Sequence, residues 1–144
     1  MNAAGDPVRK VLFLCTGNSC RSQMAEAIVN AQNAEWRAFS AGTRPAGAVH
    51  PMAIEVLREI GIRHEGKSKG VEQFRGEDFD LVITVCDDAN EECPVWLGPG
   101  KHVHESFRDP AKAEGTEAER LAVFRQVRDE LLKKIPDLLK QTVS

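Results

Sequence analysis

The feature that most constrains the fold is an unbroken apolar segment at residues 11–15, which leads through a short loop into a helical pattern. A strand that is apolar on both faces must be covered on both sides, as in parallel sheets flanked by helices. A helix is predicted over residues 22–31 because apolar residues recur there at helical spacing: Met24, Ala25, Ala27 and Ile28. A strand joined to a crossover helix is the repeating unit of α/β domains, so this segment favours that class.

The alternation of strand and helix continues along the chain. Further strands are predicted at residues 36–41, 81–86 and 101–107, and further helices at residues 51–60 and 117–139. No repeat or Gly/Pro/Ser-rich linker divides the sequence, so residues 1–144 are predicted to form a single domain. We expect a three-layer α/β domain with a four-stranded parallel sheet flanked by helices.

Composition excludes several classes of function. A formal charge of −3 and a pI near 5.8 give no basic surface of the kind that nucleic-acid-binding domains carry. No apolar segment approaches the roughly 20 residues that a membrane-spanning helix needs, and the first ten residues lack the apolar stretch of a secretory signal. We therefore expect a cytoplasmic protein that binds neither nucleic acid nor membranes, and we expect it to be a monomer.

The four cysteines raise the central functional question. In a reducing compartment they are not a disulfide framework, which leaves buried apolar positions, metal ligands, or catalytic and redox thiols. Cys15 and Cys86 both end predicted strands, where ligands of open α/β sheets bind, so they are candidates to face one crevice. A zinc site is disfavoured because the spacings Cys15-x4-Cys20 and Cys86-x6-Cys93 exceed those of most finger-type sites.

The loop "CTGNSCR" at residues 15–21 has the composition of an anion-binding nest. Gly17 and Asn18 can adopt positive φ, which turns successive backbone N–H groups to one side, and the helix that follows adds partial positive charge. Arg21 can hold two oxygens of a tetrahedral oxyanion. The same field favours the thiolate of Cys15, which the Ser22 hydroxyl can hydrogen-bond. The alternative for a bare C-x5-R pattern is a core cysteine and a surface arginine. The predicted oxyanion-binding residues are Thr16, Gly17, Asn18, Ser19, Cys20, Arg21 and Ser22. For the Cys20 side chain, packing is the favoured interpretation.

The segment "CTGNSCRSQMAE" resembles the loop of the low-molecular-weight phosphatase fold, in particular that of the arsenate reductases built on it. The segments "SAG" at 40–42, "VITVCDDANEECP" at 82–94 and "FRDPA" at 107–111 resemble the same family in the same order. The resemblance implies a low-molecular-weight phosphatase-like domain with Asp109 as the general acid. From the residues alone, an Asp-Pro pair is most often just a turn.

The fold hosts phosphate-ester hydrolysis and arsenate reduction, and both begin with thiolate attack on a tetrahedral oxyanion. Reducing arsenate takes two electrons, which two thiols supply when they form a disulfide. The resemblance implies that Cys86 and Cys93 are the redox cysteines of a relay that starts at Cys15, with thioredoxin as the reductant and no bound cofactor. The chain also lacks the tyrosines that usually follow Asp-Pro in the related tyrosine phosphatases, and has Ala111 there.

The predicted disulfide between Cys86 and Cys93 makes a geometric demand. In a helix, Cα atoms seven residues apart lie about 10 Å from each other, whereas a disulfide needs them within about 7 Å. Any helix in this segment must therefore bend or melt when the disulfide forms. Two other interpretations stay open: a phosphomonoesterase in which these cysteines are incidental, and a non-enzymatic redox switch whose loop merely holds sulfate or phosphate.

Metal binding is not expected. His102 and His104 alternate on one face of a predicted strand, although two exposed histidines are more often plain surface. Asn18, Glu26 and Ser40 match positions that hold potassium in some relatives, but the acidic residue expected near Lys69 and Gly70 is missing.

Overall fold

The computed structural model describes residues 8–86, 98 and 100–143. In that part of the chain, four parallel strands form one sheet in the order β2-β1-β3-β4. The strands are β1 (Arg9–Cys15), β2 (Trp36–Gly42), β3 (Leu81–Thr84) and β4 (Lys101–His104). The helices are α1 (Arg21–Gln32), α2 (Pro51–Arg58) and α3 (Glu117–Val143), with short 3₁₀ helices at Val71–Phe74 and Pro110–Lys112. The prediction of an α/β fold with a four-stranded parallel sheet is confirmed.

Strand β1 is central and is hydrogen-bonded to β2 on one side and to β3 on the other. Leu14 is paired with Ala41 of β2 and with Thr84 of β3, so three strands end close to one another. Residues 11–14 are fully buried, as the unbroken apolar run predicts for a strand covered on both faces. The loop that follows β1 therefore starts from the middle of the sheet's carboxyl edge.

The two faces of the sheet are covered differently in the described residues. Phe13 belongs to a large core with residues from all three α-helices, including Met24, Leu57 and Phe124. The opposite face carries Leu12, Leu14 and Val82, which pack against an aromatic cluster. That cluster consists of Phe39, Phe74 and Phe79, whose rings contact one another edge to face. The 3₁₀ helix Val71–Phe74 supplies one of these rings.

Two strands are shorter than the sequence pattern predicts. The apolar run after residue 81 suggested a strand to residue 86, but β3 ends at Thr84, which is paired with Leu14 of β1. One hydrogen bond, from Val85 N to Leu14 O at 2.9 Å, extends the pairing. Strand β4 likewise ends at His104 instead of residue 107. Cys86 thus lies two residues beyond its strand, at the edge where the β1 loop begins.

A cluster of ion pairs links α2 to α3. Arg125 and Arg128 both contact the carboxylate of Glu59, at 2.7 and 2.9 Å. Arg128, which is 9% exposed, also donates to the carbonyl of Val56 at the end of α2. Hydrogen bonds from Arg125 and Arg128 favour the carboxylate and lower the pKa of Glu59 to about 2.

No helix in the described residues is both long and apolar enough to span a membrane.

Candidate active site at the carboxyl edge of the sheet

The β1–α1 loop begins at Cys15, the last residue of β1, and ends at Arg21, the first residue of α1. Asn18 adopts φ 49°, in the left-handed region that asparagine tolerates better than most residues. Gly17 does not have positive φ, so Asn18 alone makes the turn that the sequence pattern assigned to both residues. The first N–H groups of α1 follow directly, as an anion-binding loop requires.

The outer side of this loop is held by the segment after β2. Arg44 N donates to Thr16 O, and Ala46 N donates to Gly17 O, each at 2.9 Å. These bonds occupy two loop carbonyls with backbone donors from outside the loop, so these carbonyl oxygens already have partners.

Gly42, the last residue of β2, lies directly against the loop. A Cβ atom on Gly42 would be 2.9 Å from Asn18 N and 3.0 Å from Thr16 C, and it would also overlap the carbonyl oxygen of Thr16. Glycine is needed here because the loop backbone passes where a side chain would stand. The sequence singled out this glycine only as part of the "SAG" segment at residues 40–42 that resembles the family.

Cys15 lies at the base of the loop and is 2% exposed. Its sulfur is 2.9 Å from the hydroxyl oxygen of Ser22, the contact that the sequence pattern suggested. Asn18 Nδ2 donates to the same hydroxyl at 2.8 Å. Ser22 and Asn18 are both fully buried, so the hydrogen-bonding group at the thiol is supplied and oriented by the protein itself.

Arg21 and Asp109 meet beside the loop. Arg21 is 3% exposed, and its Nη1 donates to Phe107 O at 3.2 Å. Its Nη2 lies 3.7 Å from Asp109 Oδ2. The other carboxylate oxygen of Asp109 accepts a hydrogen bond from Ala111 N at 3.0 Å and caps the 3₁₀ helix Pro110–Lys112. Asp109 therefore forms the expected turn and at the same time points a carboxylate oxygen towards the loop arginine.

The cysteines differ in environment. Cys15 and Cys20 are free thiols, whereas Cys86 is disulfide-bonded. Cys20 is buried, and desolvation together with the nearby Asp109 carboxylate raises the pKa of its thiol to about 12. Cys20 thus stays protonated at neutral pH, as a packing role requires. Cys86 is fully buried beyond β3. Cys93 lies outside the described residues.

The residues considered for potassium surround a lysine. Glu26 Oε1 accepts a hydrogen bond from Ser40 Oγ at 2.8 Å and lies 3.7 Å from Lys69 Nζ. The Lys69 and Glu26 side chains are only 19% and 15% exposed. Lys69 also donates its backbone N–H to Asn18 Oδ1 at 2.7 Å. The ammonium of Lys69 thus supplies positive charge at Glu26, beside the loop residue Asn18.

The other residues considered as metal ligands are two histidines on β4. His102 and His104 are exposed on β4, and His104 Nδ1 lies 2.6 Å from Thr84 Oγ1. Among residues 8–86, 98 and 100–143, no three His, Cys, Asp or Glu side chains are grouped so that they could hold a metal ion.

Sequence reasoning missed several polar residues around the loop. Gln23 is fully buried on α1, and His64 and Lys69 reach the loop region from the segment after α2. A polar residue directly after Ser22, on the helical face that otherwise packs in the core, was the available signal for Gln23. No pattern linked His64 to the loop, because its contact with Gln23 spans 41 positions of sequence, and Lys69 was noted only as standing near where some relatives carry an acidic residue.

The fold and the loop together define a class of protein: α/β domains in which a strand-end cysteine and a helix-start arginine flank a short strand-to-helix loop. The family model for low molecular weight phosphotyrosine protein phosphatase matches residues 10–144. The chain belongs to that family.

Relatives within the family indicate a narrower group. An arsenate reductase of Halalkalibacterium halodurans is 47% identical over 127 residues, which cover 87% of this chain and 91% of the relative. A solved arsenate reductase in its phosphate-binding state is 32% identical, with a TM-score of 0.76 over 94% of this chain and 99% of that one. A thioredoxin-dependent arsenate reductase of Corynebacterium glutamicum is 26% identical, with a TM-score of 0.68 over 96% of this chain and 64% of that one.

Proposed function

We propose that this chain reduces arsenate to arsenite through a Cys15/Cys86/Cys93 disulfide relay that thioredoxin regenerates. The observation that carries the proposal is the place of Cys86. It follows β3, which is hydrogen-bonded to β1, so a second cysteine lies at the same sheet edge as Cys15. Ester hydrolysis needs one thiol, whereas two-electron reduction needs two. The similarity to known arsenate reductases supports the same choice.

In the first step the Cys15 thiolate attacks the arsenic of bound arsenate and forms a sulfur–arsenic bond. One arsenate oxygen leaves as water after protonation by Asp109, whose carboxyl lies beside Arg21 at the loop. The Arg21 guanidinium and the loop N–H groups hold the remaining oxygens and the charge on them. Ser22 keeps its hydroxyl at the attacking sulfur.

In the second step the Cys86 thiolate attacks the Cys15 sulfur. The electron pair of the sulfur–arsenic bond stays on arsenic, which leaves as arsenite, and a Cys15–Cys86 disulfide remains. The Cys93 thiolate then attacks the Cys86 sulfur, which frees the Cys15 thiolate and forms a Cys86–Cys93 disulfide. The dithiol of thioredoxin reduces that disulfide and is itself oxidised.

The burial of Cys86 supports a third thiol in the cycle. Cys86 is fully buried, so a protein reductant cannot reach its sulfur in this conformation. Cys93 would carry the oxidation to a place where thioredoxin can dock. The thioredoxin-dependent relative from Corynebacterium glutamicum supports this choice of reductant. Thioredoxin coupling also requires a reducing compartment, in agreement with the expected cytoplasmic location.

Phosphomonoester hydrolysis is the second candidate, because the chain belongs to a family of phosphotyrosine protein phosphatases. Cys15, Arg21 and Asp109 would serve it equally well, because attack, anion binding and leaving-group protonation are common to both reactions. The two functions differ in their need for Cys86 and Cys93, and the experiment that separates them is therefore directed at these residues.

The test follows arsenite release in a single turnover by the reduced protein. Cys93→Ser should release one arsenite per molecule, because Cys15 and Cys86 together supply both electrons, and it should then stop as a Cys15–Cys86 disulfide. Cys86→Ser should release none. Peptide mapping identifies the trapped disulfide, and hydrolysis of a phenyl phosphate ester by both variants serves as the control for an intact loop.

Two results would contradict the relay. If both variants behave towards arsenate as the unaltered protein does while they hydrolyse the ester, the phosphatase interpretation is correct. If Cys93→Ser turns over repeatedly with thioredoxin at an unchanged rate, Cys93 is not part of the cycle.

A further inference from the structure

Gln23 is fully buried on α1, and its side-chain contacts fix the direction in which its amide points. Its Nε2 contacts three oxygens: Asn18 O at 3.2 Å, Asn18 Oδ1 at 2.9 Å and Lys67 O at 2.8 Å. An amide nitrogen donates and these oxygens accept, so the opposite oxygen, Oε1, faces His64 Nε2 at 2.7 Å. Because Oε1 can only accept, His64 Nε2 must carry the hydrogen.

The orientation of the Asn18 amide is fixed in the same way. Its Oδ1 accepts from Gln23 Nε2 and from the backbone N–H of Lys69, at 2.9 and 2.7 Å. Its Nδ2 then donates to Ser22 Oγ at 2.8 Å. Since the Ser22 oxygen accepts that bond, its own hydrogen is available for the Cys15 sulfur at 2.9 Å.

These contacts form one chain in which every hydrogen bond is donated towards the sulfur, from His64 through Gln23, Asn18 and Ser22 to Cys15. We propose that His64 and Gln23 are positioning residues that hold the Ser22 hydroxyl on the Cys15 sulfur and thereby stabilise the thiolate. Hydrogen bonds that share one direction polarise one another, so the link at His64 strengthens the bond at the sulfur. The proposal deepens the proposed function and rests on Cys15 being its nucleophile.

Gly66 gives independent support for the importance of the His64–Gln23 contact. A Cβ atom on Gly66 would overlap both His64 Nε2 and Gln23 Oε1, the two atoms of that hydrogen bond. The backbone therefore passes directly over this bond, and a glycine is the residue that leaves room for it. The Cβ atom of an alanine at this position would therefore push the side chains of His64 and Gln23 away from each other.

The hydrogen bonds from His64 to Cys15 keep the same donor-to-acceptor direction whatever the protonation state of His64. Burial lowers the pKa of His64, which favours the neutral ring, and Gln23 Oε1 selects the tautomer with hydrogen on Nε2. A protonated ring also carries that hydrogen. Ionisable groups lie near both ends of this series of hydrogen bonds. Arg21, Asp109 and Cys20 lie at the Cys15 end, and Glu26 and Lys69 lie at the His64 end.

The experiment measures how fast iodoacetamide alkylates Cys15 in the reduced protein as a function of pH, with peptide-resolved mass spectrometry to separate Cys15 from the other cysteines. Only the thiolate reacts, so the midpoint of the rate profile reports the ionisation of Cys15. The variants are His64→Ala, His64→Gln, Gly66→Ala and the double variant of His64→Ala with Gly66→Ala. The matched control is Arg63→Ala, whose side chain is 91% exposed beside His64.

At pH values below the midpoint of the profile, His64→Ala should lower the alkylation rate of Cys15 by about three- to tenfold. This is the effect expected for the loss of one hydrogen bond from a buried series. His64→Gln should restore much of the rate because its amide can donate from nearly the same place. Gly66→Ala should produce a similar loss, and the double variant should lose no more than either single change. Arg63→Ala should match the unaltered protein.

Three results would overturn the proposal: an unchanged profile in His64→Ala, a loss that His64→Gln does not reduce, or additive losses in the double variant. If His64→Ala does not fold, an unchanged alkylation profile in folded Gly66→Ala is by itself enough to overturn the proposal. Alkylation needs no arsenate, so this result stands apart from the arsenite-release test: failure of arsenate reduction with the expected alkylation profiles would reject the proposed function only.

Discussion

Gly42→Ala tests the idea that the end of β2 shapes the β1–α1 loop, the proposed oxyanion site. The new Cβ would be 2.9 Å from Asn18 N and 3.0 Å from Thr16 C, and would overlap Thr16 O. These are backbone atoms, which cannot rotate out of the way as a side chain can. Gly17→Ala is the matched control: it lies in the loop itself, has no positive φ, and its Cβ would meet neighbours only at 3.8 and 3.9 Å.

The magnitude follows from these distances. Inserting a methyl group into a filled site costs about 1–3 kcal/mol, and the contacts at Gly42 are closer than a real Cβ atom makes, so the upper part of that range is expected. At this chain length 1 kcal/mol corresponds to a Tm change of about 3 °C. Gly42→Ala should therefore melt roughly 6–9 °C lower. Gly17→Ala should stay within about 1 kcal/mol of the unaltered protein.

The assays are thermal unfolding followed by circular dichroism and sulfate binding by calorimetry. Gly42→Ala should also weaken sulfate binding by on the order of tenfold, because displaced Thr16 and Asn18 misplace the N–H donors of the loop. The reasoning is refuted if Gly42→Ala melts at the same temperature as the unaltered protein with unchanged affinity. It is equally refuted if Gly17→Ala loses as much stability as Gly42→Ala.

Three further predictions concern charged groups. The pKa of Glu59 is lowered in the folded state, so its ion pairs stabilise the protein above about pH 4.5 and this contribution is lost as the pH falls towards 2. Glu59→Gln should therefore flatten the dependence of the free energy of urea unfolding on pH in that window. An unchanged pH dependence would contradict the assignment. Lys69→Met should remove the positive charge at Glu26 and lower arsenate turnover at low salt, with partial recovery on addition of potassium, whereas the exposed Lys67→Met should have no effect. Arg21→Lys should weaken sulfate binding by roughly 10- to 100-fold in calorimetry, because an ammonium cannot reproduce two parallel hydrogen bonds; equal affinity would exclude the loop as the anion site.

Local sequence determined the elements and the loop. The apolar run at residues 11–15 predicted a strand covered on both faces, and Leu12, Phe13 and Leu14 are indeed fully buried. The alternation with helices predicted the parallel sheet, since parallel strands need crossover connections. The spacing of Cys15 and Arg21 across a strand-to-helix turn also predicted an anion-binding loop, because such a turn exposes backbone N–H groups at a helix start.

Only the tertiary structure decided which distant groups meet at that loop. Strand order places β3 beside β1, so the cysteine that follows β3 lies at the edge where Cys15 begins the loop. His64 reaches Gln23 across 41 positions, and Asp109 meets Arg21 across the sheet edge. Contacts of this kind depend on how whole elements pack, and no periodicity in the sequence encodes them. The need for glycine at Gly42 and Gly66 has the same origin, because the atoms that exclude a side chain there come from distant parts of the chain.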